Sequence, residues 1–149
     1  MKIIGFGLTK VLAEKSPEIQ LKNLSLGTDI EFIDMVEEKS EMVKEGSETL
    51  KVFFKFSVPY KEKDKKESKK GEVSISGFIV ILAAQDEVKD ALKAWKKREL
   101  PNEFRIPLFN FILRKCSIHA LRLEEELGLP LHVPMPQLKA GSIKQAEKK

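Results

Sequence analysis

The sequence predicts an α+β fold in which a four-stranded antiparallel sheet is covered by a long helix. Segments with the alternating pattern of strands fill the first half of the chain, and segments with helical spacing fill the second half. Strands followed by helices indicate helices packed on one face of an antiparallel sheet. We expect residues 1–136 to form this single domain and the polar, lysine-rich residues 137–149 to form a flexible tail.

Four segments have the composition and period of strands. The first covers residues 3–11, and the second covers residues 30–36 with a phase slip at Ile33 that indicates a bulge. Residues 50–58 give the cleanest alternation, and residues 71–82 alternate at first and then become continuously apolar. The second half of the fourth strand is therefore expected to be covered on both faces.

Two helices are predicted after the strands. Residues 86–100 combine apolar residues at helical spacing with acidic residues near the start and basic residues near the end, which suits the helix dipole. Pro101 and Pro107 are expected to bracket an extended link. A long helix then begins at Pro107 and ends at Gly128, a left-handed C-cap, and the proline-rich residues 129–136 must be extended.

The long helix is apolar on two opposite faces. One stripe is expected to lie on the core; it consists of Phe109, Ile112, Leu113, Cys116, Ala120, Leu123 and Leu127. Three large apolar residues point the other way, and with two residues of the fourth strand they form the predicted oligomer interface: Phe111, Ile118, Leu121, Phe78 and Val80. The pattern predicts that the chain does not act alone.

Composition limits the class of protein. The net charge of +4 arises from 27 basic and 23 acidic residues that are interspersed, so no polybasic surface for nucleic acid is predicted. The longest apolar run is far shorter than the roughly 20 residues that span a bilayer. One cysteine, Cys116, and no secretory pattern lead us to expect a cytoplasmic protein. The Lys- and Glu-rich composition is typical of thermophile proteins.

No catalytic or metal site is predicted. His119 and His132 lack a cysteine or carboxylate at zinc-ligand spacing, so we expect structural or exposed roles for both and no metal or other cofactor. The run from Glu124 to Glu126 is expected to lie on a solvated helix face. Binding is therefore favoured over enzymatic activity.

One further pattern concerns the order of motifs. The strand GEVSISGFIVI, a helix opening with Leu108 and Phe109, its terminal Gly128 and the segment LPLHVPMP follow one another. This order resembles the protein-export chaperone family SecB, over residues 1–136 in element order and over residues 72–78 and 108–136 in motif. The resemblance implies a sheet crossed by a long helix, assembly into dimers and dimers of dimers, and apolar grooves that hold unfolded polypeptides. The basic charge departs from the acidic sheet surface by which that family contacts the SecA motor, so a different delivery partner is expected.

We therefore expect an oligomeric chaperone that holds unfolded or preprotein clients. Large apolar residues outside the predicted core form the candidate client surface: Phe53, Trp95, Phe104, Leu131, Val133 and Met135. Two alternatives stay open at this point. The same fold could be an interaction or regulatory module for one protein partner, or a domain with an enzymatic or small-ligand site, which would require a deep pocket with converging polar groups.

Overall fold

The computed structural model describes residues 1–39, 44–63, 68–138 and 140–141. Most of the predicted tail, namely residues 139 and 142–149, lies outside the described part of the chain. The described residues form five strands and two helices: β1 (Lys2–Lys15), β2 (Leu24–Leu26), β3 (Asp29–Glu38), β4 (Ser47–Glu62), β5 (Lys69–Ala84), α1 (Gln85–Lys96) and α2 (Asn102–Leu127). The α+β class is confirmed, with all strand pairs antiparallel.

The sheet has five strands rather than the four predicted. β4 is 16 residues long, and along its outer side it pairs first with β3 and then with β2. A break at Gly27 and Thr28 divides what would otherwise be one continuous partner strand. On its other side β4 pairs with β5, and β5 pairs with β1, so β1 and β3 form the two edges of the sheet.

Bulges adjust both edge strands. The register of β3 against β4 shifts between Phe32 and Asp34, which confirms the bulge predicted at Ile33. In β1 the register against β5 shifts twice, around Ile4 and around Thr9. These bulges add local twist to strands whose outer sides have no strand partner among the described residues.

The two faces of the sheet differ in what covers them. The alternate residues of β4 from Leu50 to Tyr60 are buried together with the helices, and with β5 they build the core. The opposite, helix-free face carries polar residues and half-buried apolar side chains that include Phe53, Phe78, Val80 and Leu82. Coverage of β5 on both sides is thus partial: its second apolar face is half-buried, and neither of the helices formed by the described residues lies on it.

The long helix begins earlier than predicted. Residues 102–107 were expected to be an extended link, but α2 starts at Asn102, directly after the N-cap residue Pro101, and Pro107 lies inside it. Pro107 is the sixth residue of α2, beyond the first four N–H groups that lack an intrahelical partner, so it forfeits one helical hydrogen bond, to the Glu103 carbonyl. The helix ends at Gly128 in the left-handed conformation with a φ of 66°, as predicted.

The buried face of α2 rotates along the helix. Its fully buried residues recur at every fourth position: Phe104, Leu108, Ile112, Cys116, Ala120 and Glu124. At 100° per residue each such step turns by about 40°, so the buried direction at Glu124 is nearly opposite to that at Phe104. Phe111 is therefore not outward-facing as expected: it is half-buried, with its ring centroid 5.4 Å from that of Phe6. Leu113, expected in the core, is exposed.

Candidate functional site

A cleft of about 690 Å³ lies between the edge strand β3, the end of α1 and the first turns of α2. It is lined by Ile30, Glu31, Phe32, Ile33, Trp95, Arg98, Glu99, Leu100, Arg105 and Phe109. The floor is apolar and aromatic, whereas three of the charged residues come from the α1–α2 connection and the start of α2, and the fourth, Glu31, comes from β3.

Two features of the fold position the apolar residues. Phe109 of α2 stacks on Phe32 of β3, with ring centroids 4.9 Å apart and planes inclined by 21°. Trp95 comes from the last turn of α1, which packs on the same part of the sheet. The cleft therefore adjoins a strand whose outer backbone groups have no strand partner among the described residues.

Arg98 closes one side of this cleft. It follows the C-cap of α1 in the left-handed conformation, with a φ of 58°, and its N–H bonds the carbonyl of Trp95 at 2.8 Å. Its guanidinium lies over the Trp95 ring at 4.2 Å, and it donates to the Ile33 carbonyl at 3.4 Å. The connection is thereby held against the bulge of β3.

A second feature is a buried polar network under the proline-rich segment. Glu124 is 0% exposed. Its Oε1 accepts from the backbone N–H of His132 at 3.2 Å and contacts His132 Nδ1 at 2.7 Å, while Tyr60 Oη lies 2.7 Å from its Oε2. Tyr60 Oη also lies 2.6 Å from the Pro130 carbonyl oxygen, so its single proton is shared between two acceptors. The expectation that Glu124 lies on a solvated face is wrong; Glu125 and Glu126 are exposed as expected.

Ser117 extends this network into a serine–histidine–glutamate arrangement. Its Oγ lies 3.3 Å from His132 Nε2, on the side of the ring opposite Glu124. Hydrolytic triads have these contacts, but they also need an accessible histidine and oxyanion donors. The His132 side chain is 1% exposed, and Ser117 lies mid-helix, where backbone N–H groups are bonded within α2. The geometry instead fastens residues 129–132 to α2 and β4.

Burial raises the pKa of two side chains, Tyr60 and Cys116. Burial raises the pKa of the Tyr60 hydroxyl above its ordinary range, and the hydrogen bond and negative charge of Glu124 raise it further. Burial alone raises the pKa of the Cys116 thiol to about 12, so Cys116 is an inert core residue at neutral pH.

The six candidate client residues do not come together. Trp95 lies in the cleft, and Phe53 lies on the helix-free face with its ring centroid 6.3 Å from that of Phe78. Phe104 is only 7% exposed and belongs to the core, so it offers no surface to a client, contrary to expectation. The remaining three lie in the proline-rich segment: Leu131 and Val133 are half-buried and Met135 is 53% exposed.

The candidate interface residues also lie on different surfaces of the protein. Phe78 and Val80 share the helix-free face with Phe53. Ile118 is 68% exposed on α2, and Leu121 is half-buried. With Phe111 packed on Phe6, Ile118 is the member of the set that most clearly lacks a partner within the described part of the chain.

Sequence reasoning missed the participation of Glu124, His132 and Tyr60. A signal was present for Glu124, because it continues the spacing of four set by Leu108, Ile112, Cys116 and Ala120. No comparable signal identifies His132, whose partner lies eight residues away across a turn.

Within the described ranges, no cluster of three or more histidine, cysteine, aspartate or glutamate side chains is arranged to hold a metal ion. No helix in the described part of the chain is long and apolar enough to cross a membrane.

Comparison with solved structures shows a likeness of fold. No protein-family model matches the chain, and no curated protein matches it significantly. A solved SecB-like chaperone from Mycobacterium tuberculosis, in complex with a ChAD peptide from the HigA1 antitoxin, is similar over 93% of this chain and 90% of its own. The identity is 12% and the TM-score is 0.49, values at which the comparison concerns the arrangement of strands and helices.

Proposed function

We propose that this protein is a chaperone-type binder of extended polypeptide segments, with the cleft between β3, α1 and α2 as its binding site. The observation that carries the proposal is the position of this apolar cleft directly beside an edge strand without a strand partner among the described residues. Extended peptides are recognised through main-chain hydrogen bonds to a strand edge and through pockets for alternate side chains. The order of motifs that resembles SecB supports the same class of function.

The proposal assigns the protein a binding role and no catalysis. The Ser117–His132–Glu124 arrangement has the residue types of a catalytic triad, and burial of the His132 ring argues against its use. Hydrolysis of p-nitrophenyl acetate provides the check: we expect wild type and Ser117→Ala to have the same low rate. A rate that falls with Ser117→Ala would contradict the non-enzymatic role.

We further propose a cytoplasmic homo-oligomer. Three large aliphatic residues remain exposed along α2: Ile106 at 51%, Leu113 at 37% and Ile118 at 68%. A solvated helix rarely carries such a set, and a second subunit would bury it.

Suppression of client aggregation tests the function. An unfolding client protein is followed by light scattering with and without stoichiometric excess of this protein, and we expect scattering to be suppressed. Trp95→Ala removes an aromatic wall of the cleft and should weaken suppression, whereas Phe53→Ala, on the opposite face of the sheet, should not. If only Phe53→Ala loses the suppression of aggregation, the client surface is the helix-free face and not the cleft.

Absence of suppression by the wild-type protein would overturn the holdase role. A single protein that co-purifies with the chain, together with no affinity for generic unfolded clients, would instead indicate the specific interaction module. Circular dichroism of both variants establishes that each is folded.

A further inference from the structure

Two arginines flank the cleft without a carboxylate partner. Neither Arg98 nor Arg105 has a carboxylate oxygen within 4.0 Å among the described residues. Glu31 and Glu99 line the same cleft, but both lie beyond that distance from the guanidinium nitrogens. Each guanidinium has five donors, and in the described structure each has one hydrogen bond, to the Ile33 carbonyl for Arg98 and to Asn102 Oδ1 at 2.6 Å for Arg105.

The backbone at Arg98 is unfavourable for an arginine. The N–H of Arg98 bonds Trp95 O, and the N–H of Glu99 bonds Ala94 O at 3.1 Å, as in the left-handed ends of helices. Glycine is preferred at this position because a side chain is strained at positive φ. The positive φ of Arg98 therefore lowers the stability of the folded protein. Residues that are retained in such strained conformations cluster at functional sites.

The guanidinium of Arg98 is also held in place before any ligand binds. It stacks on the Trp95 ring at 4.2 Å, and this arrangement leaves the N–H donors at the edge of the guanidinium plane available for a second group. α2 begins at Asn102, between the lining residues Leu100 and Arg105, so the positive end of its dipole lies at the same end of the cleft. Three sources of positive potential thus adjoin an aromatic floor, in a cleft that the carboxylates of Glu31 and Glu99 also line.

We propose that the cleft selects extended polypeptide segments in which an aspartate or glutamate side chain flanks an aromatic or large aliphatic residue. The apolar side chain contacts Trp95 and Phe109, and the carboxylate accepts hydrogen bonds from Arg98 and Arg105. Charge-assisted bonds from a preorganised guanidinium are stronger than neutral ones, so the acidic residue adds selectivity to an otherwise apolar site. This inference rests on the proposed polypeptide-binding function and names the class of segment.

Calorimetric titration with matched peptides tests it. Three end-blocked octapeptides contain the same phenylalanine and leucine residues and carry aspartate, asparagine or lysine at one flanking position. A fourth carries asparagine and has a free C-terminal carboxylate. We expect the aspartate peptide to bind about tenfold more tightly than the asparagine peptide and the lysine peptide to bind most weakly.

Arg98→Gly separates a binding role from a structural one. Glycine relieves the positive φ but removes the contacts with Trp95 and the Ile33 carbonyl, so these effects offset and the urea midpoint should change little, while the preference for aspartate over asparagine should disappear. Arg105→Gln should reduce the same preference. Arg122→Gln, an exposed site in the later part of α2 paired with Glu126 at 3.3 Å, is the control and should leave it unchanged.

Each of the other possible outcomes overturns a specific part of the proposal. Equal binding of the aspartate and asparagine peptides overturns the acidic selectivity and leaves the proposed function standing. Tighter binding only of the peptide with the free terminus makes the chain terminus the ligand and overturns the side-chain assignment. An unchanged preference in Arg98→Gly overturns the role of Arg98, and no binding of any peptide overturns both this inference and the proposed function.

Discussion

His132 Nδ1 lies 2.7 Å from Glu124 Oε1, and the two side chains are 1% and 0% exposed. The pair anchors residues 129–132, which cannot be held by the backbone hydrogen bonds of a regular strand. Pro130 and Pro134 have no N–H, so the chain after Gly128 cannot pair as a regular strand. The Glu124 carboxylate and the Tyr60 hydroxyl supply the missing partners, to the His132 N–H and to the Pro130 carbonyl.

Replacement of Glu124 by glutamine should destabilise the protein strongly. The amide has one acceptor oxygen where the carboxylate has two and carries no negative charge, so the charge-assisted hydrogen bonds that Glu124 accepts from Tyr60 and from the His132 N–H are weakened or lost. We expect the free energy of unfolding to fall by about 3 kcal/mol at pH 7, measured by urea denaturation. Glu125→Gln makes the same change at an exposed neighbour and should alter it by less than about 0.5 kcal/mol. Equal losses in both variants would show that the network is not stabilising.

Tyr60 should not ionise while the protein is folded. It is the only tyrosine in the chain, and burial, followed by the hydrogen bond and charge of Glu124, raises its pKa above the ordinary value of about 10. Absorbance at 295 nm should therefore show no tyrosinate step near pH 10 and should rise only as the protein unfolds. A step near pH 10 in a protein with native circular dichroism would contradict the burial of this hydroxyl.

The same shift has a consequence for stability. Above about pH 10 the unfolded chain releases the tyrosine proton and the folded chain retains it, so alkali favours unfolding. The stabilisation is complete below pH 10 and is lost with rising pH, by about 1.4 kcal/mol per pH unit. Tyr60→Phe should lack this contribution to the slope, although it should be less stable at pH 7 because the Pro130 carbonyl loses its donor.

Gly77 should not tolerate a side chain. A Cβ added there would overlap the carbonyl oxygen of Gly7 in the adjacent strand β1, and neither backbone can move without separating β1 from β5. We expect Gly77→Ala to lower the free energy of unfolding by about 2–3 kcal/mol. Gly27→Ala is the matched control, because nothing lies within 4 Å of its added Cβ and its φ is not positive. Similar stability of the two variants would disprove the close approach at Gly77.

The central strand β4 could be predicted from sequence because it keeps one face to the core along its whole length, whereas β2 was missed and β1 was predicted to end at Val11 rather than at Lys15. The alternation of apolar and other residues from Leu50 to Val58 follows from this arrangement, and the phase slip at Ile33 marks the bulge in β3. The long helix could not be read in the same way, since its buried direction turns by about 40° at each step of four residues. A fixed helical wheel placed Phe111 outward and Leu113 inward for this reason, although the spacing of four from Phe104 to Glu124 contains the information.

The cleft was only partly predictable. Trp95 was identified from its type and position, but Arg98, Phe32 and Phe109 are brought to it by the α1–α2 connection and by the edge position of β3. Edge position depends on which strands pair, and the alternation within a strand does not encode its neighbours. The four predicted strand segments gave no indication that β1 would pair with β5.

Ile118 on α2 provides the test of self-association. Its side chain is 68% exposed, so Ile118→Glu should leave the fold intact and lower the native mass by disrupting an apolar contact between subunits. His119→Glu places a carboxylate at the adjacent exposed position and serves as the control for charge. Phe111→Glu should behave differently from both, because the Phe111 ring packs on Phe6 and its loss should unfold the protein. Light scattering after gel filtration gives the mass, and circular dichroism gives the fold. An Ile118→Glu protein with the wild-type mass would remove this face of α2 from any subunit interface.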